Sequence, residues 1–176
     1  MLLTACGSKE KNTESATAPA KAANVNTYLE EDKTFQIPKD CLQFNIDYYK
    51  QYYAESGAEE IPTDEEITEM VKSQLETMGK FIAVGEAMNL DISEIHANNE
   101  EMYRINAEEM AKSGVIMPES QIEFMNLANS YRELHSKNYR KENNIPEDDT
   151  PISTDELSVY IDAKAKELGI EITFEE

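Results

Sequence analysis

The chain has few of the residues on which active sites and nucleic-acid interfaces depend. Its 176 residues include two histidines, two cysteines and no tryptophan, and no CxxC, HExxH or glycine-rich phosphate loop occurs. Basic residues are also scarce, 16 against 36 acidic residues, which gives a net charge of −20. Nucleic acids and anionic lipid head groups bind to positive surfaces, so this charge disfavours both and is compatible with cationic clients. We expect no enzyme activity, no cofactor and no nucleic-acid partner.

The few candidate ligands are not spaced as a metal or catalytic site requires. His96 lies near Glu94 and Glu100, but two ligands on one helix make a weak metal site, and a solvent-facing histidine is the simpler interpretation. His135 has no acid or nucleophile at a motif spacing. The acidic run from Glu55 to Glu69 does not follow an EF-hand loop and is typical of a solvated helix face. The sequence predicts no metal site, and an active site would have to be assembled by the fold.

No apolar run is long enough to span a bilayer, and the longest regular pattern is that of an amphipathic helix. Thr63 and Glu66 form a capping box at its start. Behind them, one face recurs at intervals of three and four: Ile67, Met70, Val71, Gln74, Leu75, Met78, Phe81, Ile82, Gly85, Met88 and Asn89. The pattern predicts a helix from Asp64 to Leu90, about 40 Å long.

Shorter patterns on both sides predict a mainly α fold of about five helices around this long central helix. The other helices are predicted at Lys39–Ser56, Glu94–Lys112, Glu119–Glu142 and from the capping box Ser153–Glu156 to Gly169. The second of these should be partly exposed, because it carries only a thin apolar stripe: Ile95, Met102, Ile105 and Met110. An acidic loop follows at Ile145–Pro151. Short extended segments lie near both ends of the domain: Thr27–Leu29 and Thr34–Ile37, as a hairpin or as separate pieces, and Ile170–Phe174, which could pair with them.

The first predicted helix has more aromatic surface than one buried stripe requires, with four tyrosines in six residues: Tyr48, Tyr49, Tyr52 and Tyr53. They either pack in the core with their hydroxyls at its rim or form a stacking and hydrogen-bonding wall for extended peptide. The opposite wall of such a cleft would come from the long helix: Met70, Met78, Phe81 and Met88. Methionine suits promiscuous binding because its flexible side chain fits many shapes. Spacing alone does not decide which of these residues face the core.

The N-terminal residues Leu3-Thr4-Ala5-Cys6 resemble the lipobox of bacterial lipoproteins, in which the cysteine is lipidated. Only Met1, Leu2 and Leu3 stand where a signal peptide belongs, so we expect the basic and apolar signal residues upstream of Met1. Residues 7–24 have no large apolar side chain, which predicts a disordered linker. The chain therefore divides into a signal end, lipidation site and linker at 1–24 and one helical domain at 25–176. Cys41, left without a partner, is predicted to be a small buried residue.

The helical part resembles the N-terminal chaperone region of SurA- and PrsA-type foldases, and more distantly the C-terminal domain of trigger factor. The matching pieces are Phe35 to Tyr53 and Glu65 to Ser93, of which Ala87 to Ser93 are closest to the family pattern. Glu31-Asp32-Lys33 replaces the Val-Asn-Gly turn of that family. Fewer than about 40 residues follow Asn143-Asn144, too few for the parvulin domain that these foldases carry. The resemblance implies binding of unfolded clients without prolyl-isomerase activity.

Together these features predict a lipid-anchored lipoprotein on the extracytoplasmic face of the cell membrane. Its clients would be unfolded or extended polypeptides, bound between the tyrosine helix and the long helix. The alternative is a structural or adaptor lipoprotein whose aromatic face docks one specific envelope partner.

Overall fold

The computed structural model describes residues 28–57, 60–146 and 151–176, which form five helices and one two-stranded sheet. The elements are β1 (Thr34–Ile37), α1 (Lys39–Glu55), α2 (Asp64–Ala87), α3 (Ser93–Lys112), α4 (Glu119–Glu142), α5 (Thr154–Leu168) and β2 (Glu171–Phe174). The predicted mainly α fold is confirmed, and all five predicted helices are present. Cys6, the linker at 7–24 and positions 147–150 of the acidic loop lie outside the described residues.

The central element is α2, against which α1, α4, α5 and the sheet all pack. Its capping box forms as predicted, with the Thr63 hydroxyl accepting from the Glu66 amide at 3.2 Å and the Thr63 amide donating to the Glu66 carboxylate at 2.7 Å. The buried face of α2 follows the predicted stripe and continues through a small-residue stretch: Ile67, Val71, Leu75, Gly79, Phe81, Ile82, Ala83, Val84 and Gly85. The breadth of this buried face reflects neighbours on several sides of the helix.

The end of α2 comes at Ala87, three residues before the predicted end at Leu90. Asn89 has a left-handed backbone conformation with φ of 53°, and its amide donates to the Glu86 carbonyl at 2.9 Å. The Leu90 amide donates to the Gly85 carbonyl at 2.9 Å. This pair of bonds is a Schellman motif, and asparagine is one of the few residues other than glycine that favours its left-handed position. The periodicity alone did not reveal this stop signal.

The two ends of the domain meet in a parallel sheet, which confirms the predicted pairing of the last strand with the first region. Thr34 pairs with Glu171 and Ile37 with Phe174, while Leu29 makes a single antiparallel bridge to Phe35. The side chains of Phe35 and Ile37 are fully buried. The sheet therefore closes one side of the core, although it contributes only two short strands.

The residue Glu86 fixes the N-terminal segment to the end of α2. Its carboxylate accepts hydrogen bonds from the Tyr28 amide at 3.0 Å and from the Leu29 amide at 2.6 Å. Burial raises the pKa of the Glu86 carboxyl, and the two amide donors offset part of that effect. The first described residues are thus attached to the central helix and not only to the sheet.

The helices α2 and α4 approach each other closely at Gly85. A Cβ atom placed on Gly85 would lie only 2.0 Å from Cδ1 of Tyr131, whose ring is 5% exposed. A buried ring cannot move aside without disturbing the rest of a close-packed core. Gly85 therefore sets the distance between α2 and α4.

We expect Gly85→Ala to lower the free energy of unfolding by about 2 kcal/mol, because the added methyl group overlaps the Tyr131 ring. Gly79→Ala is the matched control on the same helix, since its Cβ would meet Phe35 Cε1 at 3.3 Å. The alanine helix propensity of about 1 kcal/mol offsets that milder crowding. Urea denaturation of both variants checks this expectation, and equal stabilities would contradict it.

Candidate functional site

A groove of about 1160 Å³ lies between α3, the C-terminal half of α4 and the start of α5. Its floor is formed by buried apolar and aromatic side chains: Phe81, Tyr103 and Leu157. Its walls are half-buried and mix amide, hydroxyl and aliphatic groups: Asn99, Asn129, Ser136, Asn138, Ile145 and Ile152. Its rim is exposed and mostly charged: Met102, Arg132, Glu133, Lys137 and Lys141. The groove thus grades from an apolar floor to a polar edge.

The helix α4 packs against α2 with one side and lines the groove with another. Tyr131 and His135, one turn apart, are buried against α2. Arg132 and Ser136 each follow one of them in the chain, so they are rotated by about 100° around the helix. That rotation turns them from the core to the groove, which both residues line.

The opposite wall comes from α3, and the face that α3 uses differs from the one predicted. Asn99, Met102 and Tyr103 line the groove at intervals of three and four. Of the predicted apolar stripe, Met102 and Ile105 are 48% and 49% exposed, whereas Tyr103 is the buried residue of this helix. The predicted stripe was therefore wrong for Met102 and Ile105, whereas Ile95 and Met110 are half-buried. The helix α3 packs chiefly against α4, and one neighbour covers only a narrow face. The expected partial exposure of α3 is confirmed.

Polar contacts hold α3 against α4. The Asn126 side-chain amide, 1% exposed, donates to the His96 carbonyl at 3.2 Å, and Arg104 pairs with Glu119 at 3.0 Å. His96 Nε2 lies 3.4 Å from a Glu123 carboxylate oxygen, with its side chain 16% exposed. The prediction of a solvent-facing His96 was therefore wrong. The sequence pattern of α3 alone could not reveal these contacts, because their partners all lie on α4.

His135 contacts Phe81, a residue of the groove floor, from the side of the core. Its Nε2–H donates to the Phe81 carbonyl at 3.0 Å, and its ring lies 6.1 Å from the Phe81 ring. Its Nδ1 atom is buried with no hydrogen-bond partner among the described residues. A proton on Nδ1 would therefore be buried without an acceptor, and burial lowers the pKa of His135 to about 4. His135 is a neutral structural group and not a candidate base.

The four predicted tyrosines form an aromatic ladder on α1, away from the groove. Ring contacts run from Phe44 to Tyr48, from Tyr48 to Tyr49, from Tyr49 to Tyr53 and from Tyr53 to Tyr52. Tyr49 and Tyr53 pack against the core, and the Tyr49 hydroxyl donates to the Gln74 side chain at 3.2 Å. Tyr48 and Tyr52 are 37% and 54% exposed. Tyr49 and Tyr53 thus fit the core interpretation, whereas Tyr48 and Tyr52 face outward, and a role in peptide binding stays a prediction.

The predicted residues of the long helix lie mostly in or against the core. Met70, Met78 and Met88 are half-buried and pack against it, and none of them lines the groove. Phe81 is 3% exposed and is the one predicted residue on the groove floor. The tyrosine ladder and the groove are therefore separate surfaces. The interval pattern of Asn99, Met102 and Tyr103 was the only sequence signal for the groove, and it was hidden by the polar residues around it.

Other reactive groups in the described part of the chain offer little for catalysis. Cys41 is fully buried, as predicted, and burial raises the pKa of its thiol to about 12, which disfavours the nucleophilic thiolate. Within residues 28–57, 60–146 and 151–176, no group of three or more His, Cys, Asp or Glu side chains could hold a metal ion. What the groove can do chemically is to bind a chain that presents both apolar and hydrogen-bonding groups.

Comparisons with known proteins leave this geometry as the main guide to function. No protein-family model matches the chain, and neither a curated protein nor a solved structure is measurably similar to it. Among the described residues, no helix combines the length and the apolar composition needed to cross a bilayer.

We expect His135 to make the domain less stable as the pH falls from about 6.5 to about 4. In this range the histidine binds a proton in the unfolded chain but not in the folded chain. Protonation therefore lowers the free energy of unfolding, by up to about 3 kcal/mol. Above pH 6.5 both states are neutral and the contribution is constant. The variant His135→Gln keeps a donor for the Phe81 carbonyl but lacks the titration. Parallel slopes of unfolding free energy against pH for the two proteins would refute this role.

Proposed function

We propose that this protein is a membrane-anchored extracytoplasmic lipoprotein that binds extended segments of unfolded polypeptide and has no catalytic step. The observation that carries the proposal is the groove between α3, α4 and α5, with its apolar floor and amide-bearing walls. A holdase needs both features, because an unfolded chain exposes apolar side chains together with unpaired backbone amides and carbonyls.

The dimensions of the groove suit a polymer better than a small molecule. Its volume of about 1160 Å³ exceeds the roughly 300–1,000 Å³ that is usual for small-molecule pockets. Its α4 wall runs from Asn129 to Lys141, which on a helix is about 18 Å. An extended peptide advances about 3.3 Å per residue, so the wall matches five or six residues.

The wall chemistry favours recognition without strict sequence preference. Asparagine side chains both donate and accept, so Asn99 and Asn138 can pair with backbone groups of any client residue. Met102 at the rim adapts to side chains of different shape. This combination supports broad selectivity with weak affinity.

The resemblance to the chaperone region of SurA- and PrsA-type foldases agrees with this activity, and the Leu3-Thr4-Ala5-Cys6 sequence supports the location. In this proposal, lipid on Cys6 holds the domain at the extracytoplasmic face of the membrane. Polypeptides that emerge there in an unfolded state would be the clients.

The second candidate function is that of an adaptor that docks one envelope partner through α1. The observation that favours it is the outward-facing pair Tyr48 and Tyr52, which lie outside the groove on the aromatic ladder. Exposed tyrosines are common anchors at protein interfaces. An adaptor would bind one partner through this face, whereas a holdase would bind many through the groove.

We expect the purified chain to slow the aggregation of a reduced, unfolded client, and Met102→Ser to weaken that binding about fivefold. The substitution removes apolar surface from the groove rim, worth about 1 kcal/mol when a client covers it. Ile105→Ser is the matched control, since Ile105 is equally exposed on the same helix but does not line the groove. Light scattering and fluorescence anisotropy with a labelled unfolded client measure both effects.

Two outcomes would contradict the groove proposal. No suppression of aggregation at several-fold molar excess would refute client binding altogether. Client binding that is lost in Tyr48→Ser/Tyr52→Ser and unchanged in Met102→Ser would move the binding site to α1.

We expect Cys6→Ala to shift the protein from the membrane fraction to the soluble fraction and to abolish incorporation of a labelled fatty acid. Cys41→Ala is the internal control, because the Cys41 side chain is fully buried in the domain and cannot carry a lipid. That variant should remain membrane-associated. Unchanged fractionation of Cys6→Ala would refute the lipid anchor.

A further inference from the structure

Among the described residues that line the groove, basic side chains outnumber acidic ones, although the chain as a whole is acidic. They include four basic side chains, Arg132, Lys137, Arg140 and Lys141, and one acidic side chain, Glu133. The whole chain has a net charge of −20. A quarter of its 16 basic residues thus lie around one groove. The overall charge alone was compatible with cationic clients, but the local charge favours the opposite sign.

Ordinary helix chemistry accounts for only part of this clustering. Arg140 and Lys141 lie in the last turn of α4, where basic residues offset the negative end of the helix dipole. The Arg140 guanidinium also donates to the Pro146 carbonyl at 2.7 Å. Lys137 and Arg132 lie about one and two turns further back, respectively, beyond the reach of that effect. Their position needs another explanation.

The charges of Arg132 and Lys137 are directed at the groove. Arg132 lies close enough to Tyr103 on the groove floor to counteract the burial that raises the pKa of its hydroxyl. Lys137 pairs with Glu133 at 2.7 Å, yet the two side chains remain 57% and 49% exposed. An exposed pair of this kind is weak, so a client carboxylate can compete with Glu133 for the lysine.

We infer that the groove selects polypeptide segments in which acidic residues accompany apolar ones. This inference rests on the proposed function and specifies its client class. The client's apolar side chains would cover Phe81 and Tyr103, while its carboxylates pair with Arg132 and Lys137 at the rim. Exposed charges more than about 8 Å apart are largely screened at physiological salt, so the basic side chains on the groove wall act most strongly on a client that lies against them.

A polypeptide fits this surface better than a nucleic acid or another polyanion. The floor offers apolar contacts that a phosphate polymer cannot use. A long polyanion would also extend past the groove onto surfaces where acidic residues predominate.

The test uses the full chain and three fluorescent peptides of equal length that share the same apolar residues. Their polar positions carry Asp and Glu, Asn and Gln, or Lys. We expect the acidic peptide to bind about fivefold more tightly than the neutral one, the basic peptide to bind most weakly, and the differences to shrink in 0.5 M salt. Arg132→Gln/Lys137→Gln should bring the affinity for the acidic peptide down to about that for the neutral peptide.

The matched control is Lys72→Gln/Lys112→Gln. Each of these lysines pairs with a glutamate on its own helix, as Lys137 does, but neither lines the groove. This variant should retain the preference for the acidic peptide. Loss of the preference in the control as well would overturn the inference, because overall charge would then be the cause.

The remaining outcomes separate the inference from the proposed function. Equal binding of the three peptides overturns the acidic preference and leaves the holdase function in place. Binding of none of them overturns both. Binding of inorganic polyphosphate as tight as that of the acidic peptide overturns selection of a polypeptide, because the apolar floor would then contribute nothing.

Discussion

The architecture depends on how closely α2 and α4 approach each other. Gly85 lets the ring of Tyr131 lie directly on the α2 backbone, and one turn further along α4 the His135 ring donates to the Phe81 carbonyl. These contacts fix both the distance between the helices and their rotation. Because Tyr131 and His135 pack against α2, the residues beside them on α4 face outward. The groove wall is therefore a geometric consequence of the core contact.

The other wall is held less firmly. Whereas α2 has neighbours on several sides, α3 packs chiefly against α4. Part of that contact is polar, through Asn126 and the pair of Arg104 with Glu119. Exposed pairs of this kind contribute little to stability, and regions with few buried apolar contacts open at lower free energy than the core. A rigid wall on α4 opposite a more adjustable wall on α3 is compatible with the proposed binding of clients of varied size.

The sequence predicted the helices well and the site poorly, for one physical reason. Helix starts are encoded locally, as the capping boxes at Thr63 and Ser153 show, and all five helices were found. The groove depends on which side of α3 meets α4, and a helix with one main neighbour has too narrow a buried face to stand out in its periodicity. Phe81 was the only one of the eight predicted cleft residues on the groove floor, because tyrosine and methionine content does not distinguish a core face from a binding face.

The parallel sheet has a consequence for the order in which the chain can fold. Thr34 pairs with Glu171, so β1 obtains its partner only after the five helices that lie between the two strands have been made. Until then the side of the core that contains Phe35 and Ile37, both fully buried in the finished domain, lacks its cover. Contacts between such distant parts of a chain form late, because the entropy of closing the intervening loop has to be overcome first. A chain interrupted before β2 would leave this apolar side of the core without its cover.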